Sequence, residues 1–487
     1  MMRNIHRQFF LKNLPIGLFS LGVVMTGCKK FVQIGPPTTQ LVTVGVFNSS
    51  AAATSAQLAI YIKMFQESWN MAQCTGLMSD ELKNYSTSPT LVQYYTNALL
   101  PINNPGPWKN AYSYIYQANA VISGLRQNKS IYAPIAVQLT SEAKFIRAFW
   151  HFYLTNLYGD VPLVLTTDYT VNRSMSRAPQ AQVYRQIVSD LEDAYSGLNA
   201  EYVDASDTTV TTDRVRPTKS AAAAMLARVF LYTQKYDSAE IEANLVINNT
   251  SHYSLCTNLS AAAGDNYVFQ ANSTEAIWQL APPLPANFFT YDGFDFYLKG
   301  APTKGSTNSA TISSQLLSSF EPNDQRKVQW VGTRSVGSAK YYFPYKYQSY
   351  NKSATDPSSV TEYTMMLRLA EQYLIRAEAR IEEGNGSGAI ADLNVIRERA
   401  GLPDYNGGSD KESLLAAILH ERQIELFTEW GNRWLDLKRT GNSDGVMGGA
   451  GGACEAKGGS WSSTDQLLPV PQSEISNDAS MTQNTGY

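Results

Sequence analysis

Residues 108–126 read WKNAYSYIYQANAVISGLR, and their apolar side chains recur at every third or fourth position. This spacing predicts an α-helix with one apolar face, because the helix has about 3.6 residues per turn. Residues 135–158 repeat the stripe with Ile146, Phe149 and Trp150. The two segments therefore predict neighbouring helices that bury their apolar faces against each other.

The same helical spacing recurs along most of the chain after residue 50. It predicts further helices over 53–72, 180–198, 217–233, 236–248, 364–383, 387–400 and 410–429. Pro217 is favoured at the first position of a helix, and the alanines that follow it allow close helix contact. Helices in antiparallel pairs with small inner residues predict a mainly α, tetratricopeptide-like body of helical hairpins.

Residues 251–363 differ from the helical parts on either side, 51–250 and 364–487. They contain short apolar runs, many Gly, Pro, Asn and Ser residues, and dense aromatic side chains. This composition predicts an insertion of loops and short strands. The glycine-rich segment 441–460 is expected to be a flexible surface excursion.

The amino-terminal segment, residues 1–27, has the pattern of a secretory signal peptide. Basic residues precede an apolar stretch from Leu14 to Met25, which is too short to span a membrane. Small residues followed by Cys28 look like a bacterial lipobox, so we expect cleavage before Cys28, lipid chains on that residue and a tether over 28–50. The alternative is an ordinary signal peptide that has a cysteine near its end.

Composition disfavours several classes of protein. The formal net charge is −3 and the basic residues are scattered, which argues against nucleic-acid binding. Cys74, Cys256 and Cys454 form no close CxxC pair, and no metal or phosphate-loop motif occurs, so no cofactor is predicted. The 29 tyrosines suit ligands that are part apolar and part hydroxylated.

A series of sequence blocks carries a resemblance to a known family. They are EAKFIRAF at 142–149, LYGDVPL at 157–163, RPTK at 216–219, LAR at 226–228, YLIRAEA at 373–379, NVIRERAGL at 394–402, ERQIEL at 421–426, RWLDLKRTG at 433–441, LPVPQSEI at 468–475 and QNTGY at 483–487. With the lipobox before them, the chain resembles the SusD/RagB family of Bacteroidetes outer-membrane nutrient-binding lipoproteins over nearly the whole mature sequence.

The resemblance implies a tetratricopeptide-like body whose insertion, 251–363, forms the ligand face. It implies a protein held at the outer membrane by the lipid on Cys28 and facing the exterior. It further implies binding of oligosaccharides, or of peptides in some branches, without catalysis. The implied partner is a SusC-like TonB-dependent transporter, which the lipoprotein covers as a lid.

Two groups of side chains are predicted to form this ligand face. Sugars have apolar faces and hydroxyl edges, so their sites combine aromatic rings with amide, carboxylate or guanidinium groups. The predicted ligand-binding residues are Asp80, Asn84, Tyr85, Tyr94, Tyr95, Asn287, Phe288, Phe289, Tyr291, Asp292, Phe294 and Tyr297. The alternative is that these rings pack locally beneath long loops. The aromatic run 341–347 alternates weakly and is interpreted as strand packing.

The charged residues of the family blocks are expected to form interhelical ion pairs, because partly buried charges need partners. They are Arg376, Glu378, Arg397, Arg399, Glu421, Arg422, Glu425, Arg433, Asp436 and Arg439. Core positions are expected for His151, Trp69, Trp108, Trp150, Trp278 and Trp434.

Two other functions compete with ligand binding. A glycoside hydrolase needs two facing carboxylates, for which Asp292 and Asp295 are the best local pair among aromatic residues. A protein-interaction scaffold would use an exposed apolar face of the helices. Rings that converge on one exposed patch would favour the binder, whereas carboxylates that face each other across a cleft would favour the hydrolase.

Overall fold

The computed structural model describes residues 47–103, 106–128, 130–350 and 356–487. The predicted signal peptide, Cys28 and nearly all of the tether lie outside the described residues. Those residues all belong to one compact unit, Thr43–Tyr487, and the boundaries predicted within it stay predictions. In this part of the chain no helix has both the length and the apolarity required to cross a membrane.

The chain before residue 250 is mostly helical. Its elements are α1 (Ser50–Met64), α2 (Glu67–Met78), β1 (Leu82–Asn84), α3 (Pro89–Tyr95), a 3₁₀ turn (Pro101–Asn103), α4 (Trp108–Gln127), α5 (Ala133–Tyr158), α6 (Tyr169–Asn172), α7 (Gln180–Gly197), α8 (Lys219–Tyr232) and α9 (Tyr236–Ile247). Successive long helices pack on each other: α4 on α5, α5 on α7, α7 on α8 and α8 on α9. This stacking is that of a tetratricopeptide-like array.

The middle part consists of short elements joined by long loops. They are a 3₁₀ turn (Ala261–Ala263), β2 (Ala276–Leu280), α10 (Tyr291–Phe296), β3 (Ala310–Ile312), α11 (Ser314–Ser319), α12 (Gln325–Trp330), β4 (Val331–Val336), β5 (Ala339–Pro344) and a 3₁₀ turn (Pro357–Ser359). β1 pairs antiparallel with β3, and β4 pairs with β5 in a hairpin that turns at Gly337 with φ +59°. The predicted insertion of loops and short strands is thus present.

The carboxyl-terminal part returns to helices. Its elements are β6 (Thr364–Arg368), α13 (Leu369–Glu382), α14 (Gly386–Arg399), α15 (Lys411–Glu425), α16 (Asn432–Arg439), α17 (Ser443–Met447), α18 (Ala453–Ala456), a 3₁₀ turn (Ser463–Gln466) and α19 (Gln472–Asn477). α13 packs on α9 and α14, which continues the helical stack. The prediction of a mainly α, tetratricopeptide-like fold is confirmed.

Three sequence predictions need correction. Residues 364–368 are not helical but form β6, which pairs antiparallel with the distant β2 and is wholly buried. The predicted helix 53–72 is divided at residues 65–66, because α1 packs on α4 and α5 whereas α2 packs on α3 and α10. The segment 441–460 is no loose excursion. It contains α17 and α18, and the Lys457 ammonium donates hydrogen bonds to the carbonyls of Leu77 (2.8 Å) and Met78 (2.9 Å) at the end of α2.

The aromatic core confirms the residues predicted to be buried. Trp69, Trp108, Trp150, Trp278 and Trp434 are all buried, and Trp150 packs between Phe149, Tyr114 and Trp430. The His151 Nδ1 lies 2.9 Å from the Arg147 carbonyl oxygen. Burial lowers the pKa of His151 to about 3, so this ring is neutral at physiological pH.

Buried ion pairs join the carboxyl-terminal helices to the insertion. The Glu425 carboxylate accepts from Arg368 (2.6 Å), Arg326 (3.0 Å) and Arg399, which come from different elements. The other charged residues of the family blocks are paired as predicted: Arg376–Asp392, Arg439–Glu378, Arg397–Glu321, Arg399–Glu275, Arg326–Glu421, Arg422–Asp436 and Arg433–Asp80. These charges are therefore structural, since their partners are oppositely charged side chains of the same scaffold, all of them buried or partly buried.

Candidate functional site

The first group of predicted ligand-binding residues, between Asp80 and Tyr95, contains both buried and accessible side chains. Tyr94, on α3, is 0 % exposed, and Asp80 forms a bidentate ion pair with Arg433 at 2.8 and 2.7 Å. The burial of Tyr94 and the engagement of Asp80 contradict the prediction that they contact a ligand. Tyr85 and Tyr95 are partly exposed. Burial, and secondly Tyr85, raise the pKa of Tyr95.

Asn84 shapes the turn that presents Tyr85. Its side-chain oxygen accepts a hydrogen bond from the Ser86 amide at 2.9 Å, and its amide donates to the Ser86 carbonyl at 3.1 Å. Such local pairs are typical of asparagine in turns. Asn84 is partly exposed, so its predicted role in binding stays a prediction.

In the second group of predicted ligand-binding residues, between Asn287 and Tyr297, most aromatic rings pack against other side chains of the fold. Phe288 is buried and Phe289 is 3 % exposed; the Phe289 ring lies 4.9 Å from that of Phe294. Tyr291 packs against Phe65 on α1's carboxyl end, with ring centroids 5.7 Å apart. These contacts contradict the prediction that Phe288 and Phe289 face a ligand, and they match the alternative of local packing.

Asp292 lies on α10, where this helix contacts α2. It is 3 % exposed, and its Oδ1 lies 3.3 Å from the Ser68 hydroxyl, which donates to it. Burial raises the pKa of Asp292 to about 7. Asp295 is buried as well. The prediction that Asp292 contacts a ligand is therefore wrong, and Asp292 and Asp295 do not form an accessible pair across a cleft.

The remaining predicted residues lie nearer the surface. Asn287, Tyr291 and Phe294 are partly exposed, as is Tyr297 just beyond α10. Of these, only Tyr297 joins a larger group of accessible rings contributed by other segments, so it becomes the centre of the candidate site.

Tyr297 stacks on Tyr350, with ring centroids 3.5 Å apart and planes 6° from parallel. Tyr345 lies 5.8 Å away, and the buried Phe343 supports Tyr297 edge-on at 5.4 Å. Tyr297, Tyr345 and Tyr350 are partly exposed. The residue after α10 and the stretch after β5 thus supply one group of flat rings at the surface.

Arg334, on β4, links this group to a second pair of rings. Its Nε donates to the Leu298 carbonyl at 2.9 Å, and its Nη2 donates to the Tyr297 hydroxyl at 3.0 Å. Tyr341 is its cross-strand partner on β5, so both side chains lie on the same side of the hairpin. The Tyr341 ring lies 5.9 Å from the ring of Tyr85.

We call this surface the tyrosine face and define it as Tyr85, Tyr297, Tyr341, Tyr345 and Tyr350. All five side chains are partly exposed. The sequence predicted Tyr85 and Tyr297 but missed the other three and Arg334. The signal was present in the run 341–347: on a strand, alternate residues share a face, which separates Tyr341 from its neighbour Tyr342.

Polar contacts fix the loops that carry these rings. The buried Glu362 carboxylate accepts hydrogen bonds from the backbone amides of Gln348 (2.9 Å) and Ser349 (2.7 Å), which precede Tyr350. Burial raises the pKa of Glu362 to about 7. The side-chain amide of Asn308 donates hydrogen bonds to three carbonyls at the end of α10. They belong to Phe294, Asp295 and Tyr297. The rings are therefore held in place by the folded chain itself.

A cleft of about 940 Å³ lies elsewhere, lined by residues that include Arg177, Lys438 and Asn484. No member of the tyrosine face lines it. Arg177 donates hydrogen bonds there to the carbonyls of Asp160 and Thr482, so the carboxyl-terminal segment forms part of the wall of this cleft. Among the described residues no cluster of His, Cys, Asp or Glu side chains is arranged to hold a metal ion.

Two family profiles match the chain. The profile described as "SusD family" matches residues 305–487, and the profile described as "Starch-binding associating with outer membrane" matches residues 45–231. Tyr85 lies in the second of these matches, and Tyr341, Tyr345 and Tyr350 lie in the first, whereas Tyr297 lies between the two.

Similar proteins extend this likeness over most of the chain. SusD-like protein P2 of Formosa agariphila is 28% identical over 430 residues, which are 78% of this chain and 80% of that protein. The starch-binding protein SusD of Bacteroides thetaiotaomicron is 32% identical over 148 residues, 29% of this chain and 25% of that protein.

Solved structures show the same fold. A SusD superfamily protein from Bacteroides vulgatus matches with a TM-score of 0.74 at 19% identity, covering 91% of this chain and 100% of that one. A laminarin-binding SusD-like protein matches with a TM-score of 0.72 at 22% identity, covering 89% and 99%.

Proposed function

Because the chain belongs to the SusD/RagB family, we propose that it binds oligosaccharides on the tyrosine face and does not cleave them. The observation that carries this proposal is the convergence of five partly exposed tyrosines from separate segments on one surface. Flat rings match the apolar faces of sugars, and their hydroxyls together with Arg334 match the sugar hydroxyls. Laminarin binding by a protein of the same fold supports a carbohydrate as the ligand.

The absence of catalysis is part of the proposal. Three carboxylates close to the rings along the chain, Asp292, Asp295 and Glu362, are buried, whereas Asp356, which follows Tyr350, is exposed. A hydrolase of the usual kind needs two carboxylates that reach the scissile bond from opposite sides. A surface whose neighbouring carboxylates are mostly buried fits capture of the ligand better than its hydrolysis.

Titration calorimetry of the body, residues 47–487, against a panel of oligosaccharides tests binding, and a reducing-end assay on the same mixtures tests cleavage. We expect weak binding and no product, because an open surface excludes little water. Tyr297→Ala with Tyr350→Ala should abolish most of the binding. Tyr169→Ala is the matched control, because Tyr169 is a 72% exposed tyrosine on α6. Sustained product release, or unchanged affinity in the double variant, would contradict the proposal.

The cellular part of the proposal is delivery to a SusC-like TonB-dependent transporter by a protein anchored to the outer membrane through Cys28 and facing outward. Support comes from the family and from a profile whose description notes association with the outer membrane. Cys28→Ser should move the protein from the membrane fraction to the soluble fraction. Affinity capture of the wild type should bring down a transporter. A peptide ligand, bound in place of any glycan in the calorimetric panel, would favour the peptide-binding branch of the family.

A further inference from the structure

Basic side chains surround the tyrosine face. The Lys83 ammonium lies 5.2 Å from the centroid of the Tyr85 ring, and the Lys299 ammonium lies 5.8 Å from that of Tyr350. The guanidinium carbon of Arg334 lies 5.7 Å from the centroid of Tyr297. Each cation therefore accompanies a different ring of the surface, within the range of a cation–π contact.

These three cations lack carboxylate partners. Among the described residues no ion pair involves Lys83, Lys299 or Arg334. Elsewhere Lys144, Lys346 and Lys411 each form one. Lys83 and Lys299 are exposed, and Arg334 is partly exposed.

Most acidic side chains close to the face along the chain are buried, and Asp356, which follows Tyr350, is exposed. Glu81, next to β1, and Asp292 and Asp295, on α10, are all buried. Glu362 is buried and uses its oxygens on the backbone amides of the Tyr350 loop. Three accessible cations thus lie beside the rings while four nearby carboxylates are buried, on a chain whose formal net charge is −3.

The guanidinium of Arg334 is also positioned so that it can bind an anion. Two of its nitrogens are held by the Leu298 carbonyl and the Tyr297 hydroxyl, which fixes the plane of the guanidinium beside the stacked rings. Its Nη1 makes no hydrogen bond among the described residues. A guanidinium held in this way binds carboxylate or sulfate oxygens at a lower entropic cost than a free side chain.

From this arrangement we infer that the natural ligand is an acidic oligosaccharide, with carboxylate or sulfate groups that meet Arg334, Lys83 and Lys299 while its sugar rings lie on the tyrosines. The inference rests on the proposed function and narrows it to one class of glycan. A neutral glycan offers these three cations only hydroxyl groups, whereas an acidic one also offers them negative charges, to which hydrogen bonds are stronger.

The test compares each acidic oligosaccharide with its own neutral form. Oligosaccharides from polygalacturonate and alginate are measured beside their carboxyl-reduced forms, and those from a sulfated galactan beside their desulfated forms. At 0.05 M NaCl we expect one acidic form to bind at least tenfold more tightly than its neutral counterpart. The preference should fall to about twofold at 1 M NaCl, where the Debye length is only about 3 Å. Comparing the carboxylated with the sulfated oligosaccharides shows which acidic group the protein recognises.

Variants separate the cations from the rings. Arg334→Met, and Lys83→Met combined with Lys299→Met, should lower the affinity for the acidic form roughly tenfold and the affinity for its neutral form much less. Tyr297→Ala should lower both. Lys235→Met is the matched control, because Lys235 is an exposed lysine 5.8 Å from the Phe230 ring in the turn between α8 and α9.

The outcomes distinguish this inference from the proposal on which it rests. Equal affinity for acidic and neutral forms of a bound glycan would overturn the inference and leave sugar binding intact. Loss of both forms in the cation variants would also overturn it, because the cations would then serve only to hold the rings. Binding of an acidic peptide such as oligoglutamate, with no glycan bound, would overturn both.

Discussion

Asn308 holds the end of α10 in the position that brings Tyr297 onto the tyrosine face. Its Nδ2 lies 2.9 Å from the carbonyl oxygen of Phe294, 3.0 Å from that of Asp295 and 2.8 Å from that of Tyr297. Carbonyls at the end of a helix have no partner within the helix, so this amide serves as their cap. Asn308 also adopts φ +53°, a region that asparagine and glycine enter more readily than other residues. We predict that its replacement weakens both the fold and the binding.

The size of the effect follows from these contacts. Asn308→Gly removes the amide and keeps the backbone conformation accessible. Two N–H groups serve the three carbonyls, and a net contribution of 0.5–1.5 kcal/mol each gives a loss of about 1–3 kcal/mol in the free energy of unfolding. Asn308→Ala removes the same bonds but, unlike Asn308→Gly, keeps a Cβ in the left-handed region, so it should be less stable than Asn308→Gly by up to about 1–2 kcal/mol.

Urea denaturation and calorimetry with the best glycan of the panel measure the two effects. We expect stability to fall from wild type to Asn308→Gly to Asn308→Ala, and affinity to fall severalfold as Tyr297 loses its support. Asn323→Gly is the matched control: Asn323 is exposed with φ +70°, and its side chain makes no hydrogen bond among the described residues. The reasoning is refuted if Asn308→Gly unfolds within about 0.5 kcal/mol of wild type, or if Asn323→Gly loses as much stability.

Three further predictions concern residues that the sequence placed on the ligand face and the structure buries. Phe289→Ala should lower the free energy of unfolding by roughly 3–5 kcal/mol, because the ring is lost from a packed site, and the folded protein should keep its glycan affinity in calorimetry. Asp80→Asn should cost about 2–3 kcal/mol in urea denaturation, because Arg433 keeps its charge without the carboxylate. Burial raises the pKa of Asp292 to about 7, so the stability from this protonated carboxyl is present below about pH 4 and is lost as the pH rises to about 7. Asp292→Asn should therefore be more stable than wild type at pH 8, by up to about 4 kcal/mol, and no more stable at pH 4.

Each of these predictions has a result that contradicts it. A stable Phe289→Ala variant with lost affinity would restore Phe289 to the ligand face. An unchanged urea midpoint for Asp80→Asn would show that the ion pair with Arg433 contributes nothing. Parallel pH profiles of wild type and Asp292→Asn would mean that the carboxyl at residue 292 does not titrate in this range.

The long helices could be predicted because their apolar stripes are local. Residues 108–126 and 135–158 were predicted as helices and are observed as Trp108–Gln127 and Ala133–Tyr158. Thr364–Arg368 could not be predicted in this way. Its apolar residues fit a buried strand as well as a helix, and the choice is made by pairing with Ala276–Leu280, about 90 residues earlier in the chain.

The candidate site was predictable only in part, because accessibility depends on distant packing. Tyr85 and Tyr94 lie close together in the sequence, yet Tyr85 stays partly exposed and Tyr94 is buried. Likewise Phe289 and Tyr297 belong to one aromatic segment, and the packing of α10 on α2 decides which of them reaches the surface. The position of Tyr350 on the tyrosine face depends on Glu362, which comes later in the chain. The Glu362 carboxylate accepts hydrogen bonds from the two backbone amides just before Tyr350.

The parallel contact between Tyr297 and Tyr350 has a kinetic consequence. Rings that already rest on each other need no rearrangement when a sugar arrives, so association should proceed at about 10⁶ M⁻¹s⁻¹, as for other encounters without a conformational step. A dissociation constant on the order of 100 µM then gives a residence time of about 10 ms. Such brief occupancy would let the surface bind and release many molecules each second. This suits a protein that transfers its ligand to a partner and does not suit one that retains it.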